Sequence, residues 1–284
     1  LNKEDNMNTD IITYTERVKS SAEYIKNKIN FVPEIAIVLG TGLEEIAETI
    51  EESIKINYSD IPDFPVSTAP GHKGELILGK LSGKNVVLMN GRFHYYEGYT
   101  MKEVTFPVRV FQELGVTSLI VTNAAGGMNP NFDIGNPCII TDHINFMGDN
   151  PLLGQNNDEW GVRFPDMSEV YSKDYVNLAI KVSKKLNIPV YTGVYLGITG
   201  PTFETPSELK MMRNFGADLV GMSTVPEVIA ARHAGMKVLG ISAVTDKAVP
   251  DELKTVTADE VIEIANKTGQ KMGNIIIEFV KELD

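Results

Sequence analysis

Short apolar runs recur along this chain, each ending in glycine or small polar residues and most followed by a helical pattern. That alternation restricts the fold to the α/β class more tightly than any single motif does. Residues 35–39 form the first run, closed by Gly40-Thr41-Gly42. Residues 76–81 and 86–89 flank Ser82-Gly83-Lys84 and read as a hairpin. Residues 118–122, 190–196, 219–220 and 238–244 supply further strands. Among the helices, Val18, Ala22, Ile25 and Ile29 keep helical spacing up to Pro33, and Thr100 with Glu103 opens a helix expected to run to Leu114 before Gly115. Others are expected over 174–186, from Thr205-Pro206 to Phe215, over 226–234 and over 258–283. The pattern predicts a single α/β domain over residues 11–284, a central twisted mixed β-sheet flanked by helices. Residues 1–10 are polar, lack a signal-peptide core and read as a frayed, flexible terminus. Residues 142–171 show no period and read as a long functional or interface loop.

Composition narrows the partners. A formal net charge of −12 over 284 residues argues against nucleic acid and anionic membrane surfaces. A phosphate ligand would have to be held by local donors against that field. The single cysteine, Cys138, forms no internal disulfide, fits a reducing cytosol and reads as a buried thiol beside Ile139-Ile140. No apolar stretch approaches the roughly 18 to 20 residues that span a bilayer. A cytoplasmic location is expected.

The chemistry collects at the strand ends. Arg92, His94, Tyr95, Tyr96 and Glu97 follow the run 86–89, where α/β proteins place ligands. Arg offers a fixed fork of donors, His a donor near neutral pH, and Tyr a flat face with a hydroxyl. Taken alone, the run is equally a turn with solvated charges. Gly40-Thr41-Gly42 suits either a phosphate or a tight strand-to-helix turn, and Glu45 stands where a dinucleotide fingerprint needs its third glycine. His72 sits in the turn Pro70-Gly71-His72-Lys73-Gly74. The four histidines, His72, His94, His143 and His233, lack metal-ligand spacing, so no metal is expected. His143 and His233 read as structural, the latter near a helix C-terminus that favours a cation. Asn123-Ala124-Ala125-Gly126-Gly127 is either a close approach to ligand or a packing corner. Phe203-Glu204, Gly221-Met222-Ser223-Thr224 and Thr245-Asp246-Lys247 add an aromatic face, hydroxyls and carboxylates. Such chemistry after the runs 35–39, 86–89, 118–122, 219–220 and 238–244, five strand ends in one chain, points to one convergent site.

In that order, Gly40-Thr41-Gly42-Leu43, Pro70-Gly71-His72, the run from Gly91 through Arg92-Phe93-His94-Tyr95-Tyr96-Glu97 to Gly98, Asn123-Ala124-Ala125-Gly126-Gly127, Gly200-Pro201-Thr202-Phe203-Glu204-Thr205 and Gly221-Met222-Ser223-Thr224-Val225-Pro226-Glu227 resemble the trimeric class of purine nucleoside phosphorylases. The resemblance covers nearly the whole chain from Tyr14 onward. It implies a nucleoside phosphorylase/hydrolase-like fold and a homotrimeric enzyme of purine salvage. Such an enzyme carries out reversible phosphorolysis of purine ribo- and deoxyribonucleosides, inosine and guanosine among them. Phosphate is the co-substrate, and no other cofactor is implied. Carried over by resemblance, Thr41, His72, Arg92, His94, the Ala124 amide and Ser223 hold phosphate. Tyr96 and Met222 meet the ribose, joined by Trp160 from a neighbouring subunit. Ala125, Gly126, Phe203, Glu204, Val220, Thr245 and Asp246 surround the base. His94, Glu204 and Asp246 are the catalytic candidates.

Two positions depart from the family pattern. Members specialised for 6-oxopurines carry Asn where this chain has Asp246, and an ionised carboxylate accepts only. It can accept from a 6-amino group, or donate to N7 once protonated. Glu204 accepts from N1–H, which adenine lacks. Burial and a neighbouring carboxylate both raise a carboxylate pKa, so one of the pair is expected to carry a proton in the complex and adenosine to join the substrates. Ala258 stands where the family usually has a His at the ribose 5′-hydroxyl. Together with Thr41 it resembles the related methylthioadenosine phosphorylases, the alternative assignment.

Overall fold

The structure is a computed structural model that describes residues 3–68, 73–250, 253, 255 and 257–283. The first helix, α1 (Lys3–Lys26), begins within the stretch expected to be frayed. Its Val18, Ala22 and Ile25 are buried, as their spacing requires. β1 (Ile35–Val38), β2 (Glu51–Asn57), β3 (Glu75–Leu81) and β4 (Lys84–Asn90) follow. Ser82 and Gly83, both at positive φ, make the two-residue turn of the β3–β4 hairpin.

The helix expected from Thr100 to Leu114 divides into α2 (Met101–Val104) and α3 (Phe106–Leu114). Pro107 is the reason: it lacks an amide hydrogen and sits in the first turn of α3. The chain continues as β5 (Ser118–Gly127), β6 (Pro137–Asn145), α4 (Lys173–Lys185), β7 (Tyr191–Gly197), α5 (Pro206–Asn214), β8 (Leu219–Gly221), α6 (Val225–His233), β9 (Lys237–Lys247) and α7 (Ala258–Glu282). β2 escaped the sequence reading because it lies at the sheet edge, largely exposed, with a bulge between Glu51 and Ile54. β6 takes Asp142–Asn145 out of the presumed loop, its polar residues matching its exposed end.

Among the described residues, nine strands form one mixed sheet in the order β2-β3-β4-β1-β5-β8-β7-β6-β9. β5 also pairs with β9, so the last five strands close into a ring. Side chains alternate across this sheet with the period of two that strands impose. Ala36, Val38, Val87, Met89, Leu119 and Val121 join the core under α1, α3 and α6. Ile35, Ile37, Val86, Leu88 and Ile120 join the core under α4 and α7. Parallel β1, β4, β5 and β9 bring their C-terminal ends to one edge, and with them Thr41, Arg92, Ala124 and Asp246.

α7 is clamped onto the turn after β1. Gly42 has φ +86°, and a Cβ there would lie 2.4 Å from the Ala265 backbone. A Cβ on Gly269 would meet the Gly42 carbonyl oxygen at 1.9 Å. Gly269→Ala therefore forces the helix off the Thr41 turn. It is expected to cost about 3 kcal/mol in denaturant unfolding, the upper end for overpacking.

Candidate active site

One cavity at that edge gathers the strand ends. Gly40 and Thr41 line it after β1, Arg92, His94 and Tyr96 after β4, and Asn123–Gly126 from β5. Phe203 and Glu204, Val220–Ser223, and Thr245 and Asp246 complete the wall named by the sequence. His72 lies outside the described residues.

At one end sits Arg92, 2% exposed. Its Nη1 donates to Ser223 Oγ at 2.7 Å and, more weakly, to Thr224 Oγ1 at 3.4 Å. Asn123 Nδ2 donates to the same Thr224 hydroxyl at 2.9 Å. Glu227 Oε1 lies 3.3 Å from Arg92 Nε. Thr224 holds a φ of +73°, an unusual conformation for a β-branched residue, and it turns the chain from β8 into α6. That turn brings Ser223 to the guanidinium.

His94 is fixed by Glu97, whose Oε1 accepts from the His94 amide at 2.8 Å and lies 3.0 Å from Nδ1. With Nδ1 carrying the proton, Nε2 is left to other partners. Burial pushes the Glu97 carboxyl up, but hydrogen bonds from His94 and Thr68 outweigh it and hold its pKa at about 2. Tyr96 stacks on His94, with ring centroids 4.6 Å apart. Met222 and Tyr96 both crowd Gly200, where a Cβ would meet Met222 Sδ at 2.4 Å and Tyr96 Cδ1 at 3.3 Å. The two ribose candidates therefore share one corner, beside the Arg92–His94 end.

The same cavity wall holds two carboxylates. Asp246 Oδ1 accepts from Thr245 Oγ1 at 2.9 Å, and its Oδ2 packs over Gly126. Burial raises the Asp246 pKa, with the Thr245 hydroxyl opposing. Burial also raises Glu204, its own backbone hydrogen bond opposing and the charges of Asp246 and Glu208 adding. Both shifts favour a bound proton on this pair. Phe203, 54% exposed, flanks the mouth.

Trp160 is a correction. It does not reach outward toward a neighbour: it is 5% exposed within its own chain. Its ring packs edge-on against Tyr14 at 5.7 Å and under the Arg109 guanidinium at 5.2 Å. Its Nε1 donates to Glu113 at 3.0 Å. An indole so covered, with its N–H satisfied, gains nothing by leaving. The outward aromatic of the same loop is Phe164, 87% exposed. His233 is corrected too: its Nδ1 faces Arg109 Nη2 at 2.9 Å, and burial first, then Arg109, lowers its pKa to about 4. It is a neutral acceptor, not a helix-end cation. His143 is likewise lowered to about 4 by burial and meets the Tyr171 hydroxyl at 3.3 Å.

Sequence reasoning missed Val261, and it quoted Thr224 and Glu227 within a motif without giving either a role. Val261 reaches the cavity from α7 through the Gly42–Gly269 contact, which no local pattern announces. Ala258 opens that helix and is exposed, after Thr257, whose side chain caps it with Glu260.

The sequence profile of the phosphorylase superfamily matches residues 34–281. The chain belongs to that superfamily. Among individual relatives, purine nucleoside phosphorylase 1 of Bacillus subtilis (strain 168) is 54% identical over 252 residues, covering 89% of this chain and 93% of that protein. The crystal structure of Schistosoma mansoni purine nucleoside phosphorylase in complex with adenosine superposes with a TM-score of 0.90 at 41% identity, covering 95% of this chain and 98% of that one. The same schistosome enzyme in complex with inosine gives a TM-score of 0.90 at 41% identity, with 95% and 97% covered. This phosphorylase therefore has the nucleoside phosphorylase fold and is an enzyme of the purine nucleoside phosphorylase type.

Proposed function

We infer that this phosphorylase cleaves inosine, guanosine and adenosine reversibly, and that Asp246 is what admits the 6-aminopurine. The supporting observation is one cavity that joins a buried guanidinium to a pair of carboxylates with raised pKa values. Phosphate held by Arg92, His94, Ser223, Thr41 and the Ala124 amide attacks the anomeric carbon. The new C1′–O bond forms as the C1′–N9 bond breaks, and the electron pair goes to the purine. Positive charge on the ribose is met by the phosphate dianion, and negative charge on the base by a proton shared with Asp246 or Glu204. The products are the free base and (deoxy)ribose 1-phosphate. No protein nucleophile or further cofactor enters this scheme, which suits a salvage role in the cytoplasm. Among the described residues, no helix is long and apolar enough to cross a membrane.

An initial-rate panel of inosine, guanosine, adenosine and 5′-methylthioadenosine, each with and without phosphate, tests the reading. Turnover of the first three that requires phosphate is expected. Turnover independent of phosphate overturns phosphorolysis, and absence of adenosine cleavage overturns the role of Asp246. Preference for 5′-methylthioadenosine returns the alternative, which the apolar Val261 in the cavity wall favours.

The assembly is a homotrimer in this reading, with Phe164 taking the place first given to Trp160. Phe164, 87% exposed, and Leu153, 61% exposed, line one surface recess of the 151–165 loop, where a neighbouring subunit could cover them. Phe164→Ala is expected to lower kcat/KM for inosine about tenfold and to shift the trimer toward monomer in light scattering on dilution.

A further inference from the structure

Glu227 is a buried carboxylate with no part in the scheme above. It is 4% exposed, in the first turn of α6, and faces Arg92. Two features of the pair stand out. The ion pair at 3.3 Å is not aligned as a hydrogen bond, and Arg92 Nε has no hydrogen-bond partner among the described residues. Arg92 Nη2 and Glu227 Oε2 have none either. The charge of Arg92 is therefore compensated while most of its donor capacity stays unused. Buried donors in that condition cost free energy until an acceptor arrives. Nη1, committed to Ser223 and Thr224, fixes the plane of the fork.

We propose that Glu227 is a positioning residue that sets phosphate affinity: it neutralises Arg92 in the free enzyme and yields the guanidinium to the incoming dianion. This rests on the phosphate site of the preceding subsection. Without the carboxylate, the free enzyme would bury an unpaired cation, which is strongly unfavourable. Phosphate would then be the first counter-charge available. Binding should become tighter, because it relieves a strain that the native enzyme does not carry. A role confined to packing predicts the opposite pattern, lower stability by the same amount with and without phosphate.

Glu227→Gln keeps the shape and removes the charge. The Kd for inorganic phosphate, measured by calorimetry on the full chain, is expected to fall roughly tenfold, the size of one charged hydrogen bond. The rise in Tm caused by saturating phosphate should be larger in the variant than in the native enzyme. Glu227→Asp keeps the charge but draws it back from Nε, so it should tighten binding by a smaller factor, and it serves if the Gln variant fails to fold. An unchanged or weakened Kd in whichever variant folds overturns the proposal. If the native enzyme itself shows neither heat nor Tm shift with phosphate, the phosphate site is what fails, and the two outcomes are separate.

Discussion

Arg92→Ala is expected to lower kcat/KM for inosine phosphorolysis by about 10³, with the KM for phosphate rising steeply, since single preorganised donors to developing charge are worth 10²–10³. The magnitude follows from where the guanidinium lies. It is buried, so its field is little screened, and its plane is held by Ser223 and Thr224. The protein as a whole repels anions, with a formal net charge of −12, and gives phosphate no help from a distance. Arg92→Lys should recover only part of the loss, because an ammonium cannot hold the hydroxyls and a phosphate with one planar fork. Steady-state rates with phosphate varied at saturating inosine measure both variants, and circular dichroism reports whether they fold. A folded alanine variant within tenfold of the native enzyme would mean that Arg92 does not bind phosphate.

Asp246→Asn is expected to move the inosine-to-adenosine ratio of kcat/KM toward inosine by about 10- to 100-fold, the value of one or two hydrogen bonds to a charged or buried group. An amide donates to N7 and to a 6-oxo group at any pH, whereas Asp246 donates only while protonated. Burial lifts its pKa above the ordinary carboxylate value, so adenosine turnover should decline as pH rises through that raised pKa. The decline should vanish in the Asn variant. Stability carries the same signature. The folded state holds this proton more tightly than the unfolded chain, so ionising Asp246 costs stability as pH rises through the window above the ordinary value, and the full cost remains at neutral pH. The Asn variant should therefore melt higher than the native protein near neutrality. The difference should fade as pH falls from that raised pKa toward the ordinary carboxylate value. A Tm difference independent of pH would place Asp246 in contact with solvent.

Much of this was legible in the residues. The capping box of Thr100 with Glu103 and the N-cap pair Thr205-Pro206 marked helix starts that the structure reproduces. The hairpin at Ser82-Gly83 was readable because that turn requires positive φ at both positions. Strand ends rich in glycine and polar groups did converge on one cavity. The edge strand β2 was illegible for a plain reason: an exposed, bulged strand buries too little to show alternation. Trp160 misled because an aromatic in an aperiodic loop looks the same whether it faces inward or outward. Its partners Tyr14, Arg109 and Glu113 lie far off in sequence.

By itself, the sequence determined which chemistries are present: short-range patterns dictate strands, caps and turns, and residue type dictates donors and acceptors. Tertiary structure alone decided how those groups are charged and held. Glu97 fixes the His94 ring, Glu227 and Thr224 flank Arg92, and burial lifts Asp246 and Glu204 together. Desolvation and Coulomb forces depend on distance in space, and no spacing along the chain records it.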